Sequence, residues 1–281
     1  MKSMLRAAGA TAALALVLTG CANSQPASPA PGGEAPAGIT GLADLKGKIL
    51  AVQTDTTGKV YAEEHQAEFG YEIKVFDDLP GTANAVLAGT ADAAINDNGV
   101  LFDFAVQNPT TKVVAEFDTG EQYGFNVSSD NPGLLSVANA ALAEAKADGT
   151  FNGIYQKWFG TDAPADLLGD STEATGEPKL IEAGALTVCT HLAYRPFQYL
   201  DEDNSTIIGF DVDLVDVIAK KLGVTQKIVD IEFGQITSGA VFAAGKCDLG
   251  AAAITITEER QAAAPFTDPY FNATQALLVK G

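Results

Sequence analysis

The sequence predicts an α/β protein made of two doubly wound lobes, each a largely parallel sheet flanked by helices. Three observations carry this. Short apolar runs of strand length recur, glycine-punctuated helical segments separate them, and the alternation occurs in two distinct series. The first series reads strand 49–53, helix 58–67, strand 72–76, helix 82–88 and strand 91–96, with Gly58 and Gly89 marking helix ends. Its strands are short and apolar, as burial on both faces requires. The second reads strand 186–190, helix 211–222, strand 227–231, helix 235–244 and strand 248–253. In its first helix Val212, Val215, Ile218, Ala219 and Leu222 share one face, and Asp211 is the expected N-cap. In sheets of this kind ligands bind outside the carboxyl ends of the strands.

Two further helices lie between the series. Asp130-Asn131-Pro132 starts one that carries Leu134, Leu135, Ala138, Ala141, Leu142 and Ala145 and stops at Gly149. Thr150 is the expected cap of the next, closed by Gly160. Its Trp158 sits at helical spacing from Ile154 and Tyr155, which reads as core rather than as a stacking site. Residues 161–177 then turn polar and acidic, with Pro164, Pro178 just beyond and several glycines, and read as a linker.

Of the 281 residues 47% are apolar, which excludes wholesale disorder, while 17 basic against 36 acidic residues give a net charge of −19. So negative a surface repels phosphate backbones and excludes nucleic acid as a partner. Two histidines and three scattered cysteines leave no cluster for a metal, and nothing calls for a cofactor. At the N-terminus Lys2 and Arg6 precede an apolar run from Ala7 to Leu18, too short to span a bilayer comfortably, so residues 1–20 read as a signal peptide. Leu18-Thr19-Gly20-Cys21 resembles the lipobox of bacterial lipoproteins, which implies lipidation of Cys21 as the mature N-terminus. Residues 21–40, rich in Pro, Ala, Ser and Gly, form a tether. The expected location is extracytoplasmic, lipid-anchored to the bacterial cell membrane. In that oxidising compartment Cys189 and Cys247, both at strand positions, are expected to pair as a disulfide worth ~4 kcal/mol on the chain-entropy model, the alternative being two buried thiols.

Segment 185–281, with ALTVCTHLAYRPFQYL, GFDVDLVDVIAKKLGV, AAAITITEER and FTDPYFNATQALLVKG, resembles the first half of the polar amino-acid-binding proteins of ABC importers, solute-binding family 3. Segment 42–160, with LADLKGKILAVQTDTTG, ADAAINDNGV and GEQYGFNVSSDNPGLL, resembles the second half. The resemblance implies a periplasmic-binding-protein fold of type II, circularly permuted, with the family's usual chain running from LLVKG into GLADLKGK. On this reading residues 41–120 form the family's second lobe, residues 121–281 the first, and 161–184 the permutation linker, a flexible coil reaching ~27 Å. Cutting the usual junction is expected to leave one covalent hinge near 121–125 and to make each lobe continuous in sequence.

An amino acid in a cleft needs a partner for its carboxylate and one for its ammonium, because a buried unpaired charge is prohibitive. Arg260 in ITITEER is the natural carboxylate partner, being planar, two-pronged and permanently charged. Thr255 can add a hydroxyl, and Ala253 stands just ahead of it. From the other lobe Thr56 and Thr57 open a helix whose N–H groups suit an anion, although Asp55 stands where the family usually has Gly. Asp97 at the end of ADAAIND is the counter-charge for the ammonium, the role the resemblance also assigns it. By resemblance Tyr194 and Phe233 are aromatic walls, Gln53 reaches in from the second lobe, and His191 replaces an Asp common among relatives. A histidine there, with Arg195 nearby, points to an amide or acidic side chain on the ligand. Each residue also has a bland reading: Arg260 as a surface pair with Glu258 or Glu259, Thr56-Thr57-Gly58 as a helix start, Asp97 as a helix cap.

The expected function is that of a monomeric substrate-binding protein, not an enzyme, that captures a polar L-amino acid and delivers it to an ABC permease with its ATPase. It would touch the membrane through its lipid anchor only. The alternative is a dehydratase-like enzyme of the same fold, but His191 is the only imidazole candidate and no catalytic residue can be assigned.

Overall fold

The computed structural model describes residues 38–167 and 174–281, and in it the two series become two sheets. The first is built from β1 (Ile49–Gln53), β2 (Glu72–Phe76), β3 (Ala93–Asp97) and β4 (Thr111–Tyr123), with helices α1 (Thr57–Phe69), α2 (Leu79–Leu87) and α3 (Asn98–Gln107) following the first three strands. β1 is parallel to β2 and β3, with Leu50 opposite Ile73 on one side and Ala93 on the other. After β5 (Asn126–Val127) come helices α4 (Pro132–Asp148) and α5 (Thr150–Phe159). The second sheet then adds β6 (Ala185–Thr190), β9 (Thr225–Asp230) and β10 (Leu249–Gly250), ordered β5-β10-β6-β9. A small hairpin, β7 (Tyr199–Leu200) and β8 (Ile207–Ile208), leads into α6 (Phe210–Leu222), against which α4 and α5 pack. Short helices α7 (Phe233–Thr237), α8 (Ala240–Ala243) and α9 (Glu258–Ala263) precede the final strand, β11 (Phe271–Lys280).

The final strand overturns the expected lobe boundary. β11 lies between β3 and β4 in the first sheet, antiparallel to both, with Leu277 opposite Ile95 and Ala115. A strand belongs to the sheet that satisfies its backbone groups, and β11 has partners along both edges there. The amino lobe is therefore 39–123 plus 271–281, the carboxy lobe is 124–270, and residues 121–281 are not one lobe. The chain crosses twice, after Tyr123 and before Phe271, rather than at one hinge. A single core runs through this junction, where Phe197, Phe210 and Phe271 pack with Tyr123 and Tyr270, the Phe197 and Phe271 rings 5.0 Å apart.

Other departures have local causes. The helix expected over 235–244 breaks at Gly239, whose φ of +72° suits glycine, leaving α7 and α8. Only Leu249 and Gly250 of the expected strand 248–253 pair, because the chain then turns toward the other lobe. Asp211 is not the cap of α6. Gly209 precedes the helix, and Asp211 is buried, accepting from Ala253 N (2.8 Å) and Tyr270 Oη (2.9 Å). Likewise Gly149 precedes α5 and Thr150 is its first residue. Trp158 does pack against the core beside Ile154, part-buried, with its indole N–H held by Asp213 Oδ2 at 2.7 Å. The linker is fastened at its described ends rather than loose. Leu167 is buried, Lys179 exchanges two hydrogen bonds with the Asn131 side chain, and Ile181 N donates to Asp248 Oδ1. Cys189 and Cys247 are disulfide-bonded, their Cα atoms 5.7 Å apart. The expected signal peptide, Cys21 and most of the expected tether lie outside the described residues.

Candidate functional site

Strand carboxyl ends from both sheets converge on one narrow cavity, whose free interior of about 10 Å³ is on the order of a single water. All ten ligand-binding residues expected from sequence line it: Gln53, Thr56, Thr57 and Asp97 from the amino lobe, and His191, Tyr194, Phe233, Ala253, Thr255 and Arg260 from the carboxy lobe. Sequence reasoning missed Gln198 and Ala252 in the lining.

The amino lobe presents the start of α1. Thr56 caps it, accepting from Lys59 N at 3.1 Å while its own hydroxyl donates to Gln53 O. At Gly58 a side chain would meet Gln275 Oε1 at 2.6 Å, so any larger residue there would have to displace the Gln275 amide. Asp55 resolves the doubt over its loop: it adopts φ +58°, the left-handed geometry expected of a glycine there, which Asp tolerates better than most residues. Its carbonyl accepts from Arg260 Nη2 (2.8 Å), one of the contacts that bridge the lobes.

Arg260, part-buried in α9, is turned toward the cleft. Its Nη1 donates to Thr255 O (3.0 Å), its guanidinium lies 5.3 Å from the Phe233 ring centre, and among the described residues it makes no salt bridge. Burial lowers its pKa, opposed by the nearby Asp97 and Glu121 carboxylates. It is a cation oriented by carbonyls, with no carboxylate of its own. The surface pair with Glu258 or Glu259 does not form. Beside it Ala253 holds φ +48°, a strained value for a residue with a Cβ, fixed by the bond from its N–H to buried Asp211.

Asp97 ends β3 almost fully buried. Tyr123 Oη, Tyr194 Oη (3.0 Å) and Gln275 Nε2 donate to it, yet burial and then repulsion from Glu121 push its carboxyl up to about 6. It precedes α3 without a capping hydrogen bond, which removes the helix-cap reading. Tyr194, from the carboxy lobe, shares its single hydroxyl proton between Asp97 and Asn96 Oδ1 of the amino lobe, the latter at 2.7 Å.

Glu121, Tyr123 and Gln275 were not singled out from sequence. All three lie on the crossing strands β4 and β11, and the available signal is a polar residue, Gln275, inside the apolar run of β11. Glu121 accepts from the hydroxyls of both Thr57 and Thr255 (2.7 Å each), so the Thr255 hydroxyl does not direct its proton into the cleft as expected.

At the far end of the cavity His191 Nδ1 lies 3.1 Å from Ile231 O. A carbonyl only accepts, so Nδ1 carries the proton in the neutral ring and Nε2, buried without a partner, is an acceptor. Gln198 Nε2 donates to His191 O, leaving Gln198 Oε1 also buried and unpartnered. Arg195 is drawn away to Asp103 Oδ1 (3.3 Å) and stacks on Tyr199, so it does not line the cavity.

The family model for bacterial extracellular solute-binding proteins, family 3, matches residues 43–161 and 186–281. Curated relatives include ABC transporter arginine-binding protein 1 of Escherichia coli K12, 33% identical over 42% of this chain and 50% of its own. Another is ABC transporter glutamine-binding protein GlnH of Bacillus subtilis 168, 30% identical over 42% of each chain. The chain thus spans about half the length, or less, of these curated relatives. A solved structure of an ancestral arginine-binding protein bound to arginine is 42% identical over 31% of this chain and 38% of that one, with a TM-score of 0.30.

Proposed function

The chain belongs to the bacterial extracellular solute-binding proteins, family 3, and from that premise we propose that it is the extracytoplasmic binding component of an ABC importer. It closes two lobes over a polar L-amino acid and delivers it to a permease with its ATPase. One observation carries the reading: Arg260 from one lobe and Asp97 from the other line the same cavity, the pair of opposite charges a zwitterion requires. Contacts that each lobe makes to the same ligand exist only in the closed form, so the ligand favours closure.

For the ligand side chain the amide class has more support than the acidic. Arg195 is engaged by Asp103, and the polar atoms left over, His191 Nε2 and Gln198 Oε1, are acceptors that call for N–H donors. A thermal-shift screen of the common L-amino acids tests both levels. Glutamine or asparagine is expected to raise the Tm most, with ~2.7 kcal/mol of stabilisation at a hundred times Kd. A response to aspartate or glutamate alone overturns the amide class, and no response to any amino acid overturns the function. Binding without turnover separates this from a dehydratase. His191 is oriented by a backbone carbonyl and, among the described residues, has no carboxylate partner to make it a general base.

Two organisational features belong to the proposal. The first is circular permutation. The start of the amino lobe, Gly38 and Ile39, and the end of β11, Val279 and Lys280, line one surface groove, as a junction cut between them requires. Joining the end of β11 to Thr40 and opening the chain within 168–173 should preserve fold and affinity, checked by circular dichroism and calorimetry. Loss of cooperative unfolding would count against it. The second is the lipid anchor at Cys21. A Cys21→Ser variant should leave the membrane fraction for the soluble one on cell fractionation, and continued membrane retention would remove the anchor from the reading.

A further inference from the structure

Gln275 stands fully buried on β11, the strand between β3 and β4, directly opposite Asp97 in the register. Its Nε2 donates to Asp97 Oδ1 on one side and to Glu121 Oε1 (2.9 Å) on the other, with a longer contact to Thr57 Oγ1 at 3.3 Å. An amide nitrogen carries two protons, so each carboxylate receives one. The other end of the amide, Oε1, is buried without a partner against Gly58 at the start of α1. Turned over, the amide would aim that oxygen at two anions, so the carboxylates fix its orientation. The sheet is built to bring Glu121 there. From Phe117 to Glu121 β4 spends four residue steps where β11, from Gln275 to Ala273, spends two. The bulge includes Gly120 at φ +64°, and bulges re-aim side chains. All three residues lie on neighbouring strands of one sheet, so the arrangement holds whatever the setting of the two lobes.

We propose that Gln275 is a positioning residue for ligand capture, the spacer that keeps Asp97 a usable anion beside a second carboxylate. A carboxylate offers about four acceptor positions. Tyr123 and Tyr194 occupy Oδ2 of Asp97 and Gln275 occupies one position on Oδ1, which leaves one for a ligand ammonium. Without the amide, two like charges would face each other across a buried gap. The relief open to Asp97 is to take up a proton, and that removes the anion an ammonium needs. The groups that face Asp97 are Glu121 and Tyr123 from β4, Tyr194 from the loop after β6 and Arg260 from α9, while His191 lines the same cavity. Burial and then Glu121 push the Asp97 carboxyl upward, and the bonds from Tyr123, Gln275 and Tyr194 oppose them. This inference rests on the ammonium role given to Asp97 and adds the group that makes the role possible.

Two readouts keep this inference apart from the reading it rests on. In the full chain without ligand, the Asp97 carboxyl carbon, identified by its absence in D97N, is titrated by NMR. Q275L should raise its midpoint by about one pH unit, and Q275M, with the same chain length, should do the same. Adding E121Q to Q275L removes the repelling charge and should bring the midpoint back down. The second readout is isothermal titration with L-glutamine. Q275L should bind about tenfold more weakly than wild type at pH 5, the equivalent of one unit, and approach wild type at pH 8.5. A role confined to packing would lower the Tm and weaken binding equally at every pH, with no rescue by E121Q. An Asp97 midpoint that stays at the wild-type value in Q275L and Q275M, or that E121Q does not restore, overturns the inference. If the midpoint moves and returns as expected while the wild type binds no amino acid, the spacer stands and the amino-acid reading falls.

Discussion

Replacing Arg260 by alanine is expected to weaken amino-acid binding by about thirtyfold to several thousandfold. Truncating one member of a desolvated, hydrogen-bonded charge pair costs ~2–5 kcal/mol, because the other charge is left buried without a partner. Every 1.4 kcal/mol is tenfold in Kd. In the protein alone the guanidinium holds only two carbonyls, Thr255 O and Asp55 O, at ~1 kcal/mol per bond, so stability should change far less than affinity. R260K retains the charge but loses the planar fork and should fall between wild type and alanine. Isothermal titration with L-glutamine, together with the Tm of the ligand-free protein, separates the two effects. An alanine variant that binds within threefold of wild type would falsify the role assigned to Arg260.

Much of this site was legible in the sequence, for a physical reason. In a doubly wound sheet the cleft is made by residues at strand ends, and strand ends are marked by local punctuation: Thr56-Thr57-Gly58 after β1, Asp97 closing β3, Ala253 and Thr255 after β10. What could not be read locally depends on pairing across the chain. β11 is a ten-residue strand whose pattern does not say which sheet it joins; its neighbours β3 and β4 decide that. Glu121 and Gln275 acquire their roles from the same pairing, since they meet only because the crossing strands run side by side. Asp211 has the residue type of a helix cap, but its carboxylate goes to Ala253 and Tyr270 instead. Arg195, expected only to stand near His191, is held by Asp103 of the other lobe instead of facing the cavity.

Lowering the pH should move affinity and stability in opposite directions. Asp97 and Asp211, ordinarily near 3.8, are lifted by burial to about 6 and about 7. Between 3.8 and those values the folded ligand-free protein binds more protons than the unfolded chain. Stability is therefore fully present in acid and declines as pH rises through the folded values. The ammonium of a ligand, in contrast, needs Asp97 as a carboxylate, so Kd should weaken up to tenfold for each unit below about 6. The Tm of ligand-free protein should thus be higher at pH 5 than at pH 8, whereas the ligand-induced increment should be larger at pH 8. Asp97 is surrounded by Tyr123, Tyr194, Gln275, Glu121 and, farther off, Arg260. A His191→Gln background removes the imidazole, and adding Asp97→Asn should then flatten the profile between pH 5 and 7.5 at uniformly weak affinity. A slope that survives in the double variant would show that the ammonium is not held by Asp97, and the pairing of opposite charges across the cleft would have to be reassigned.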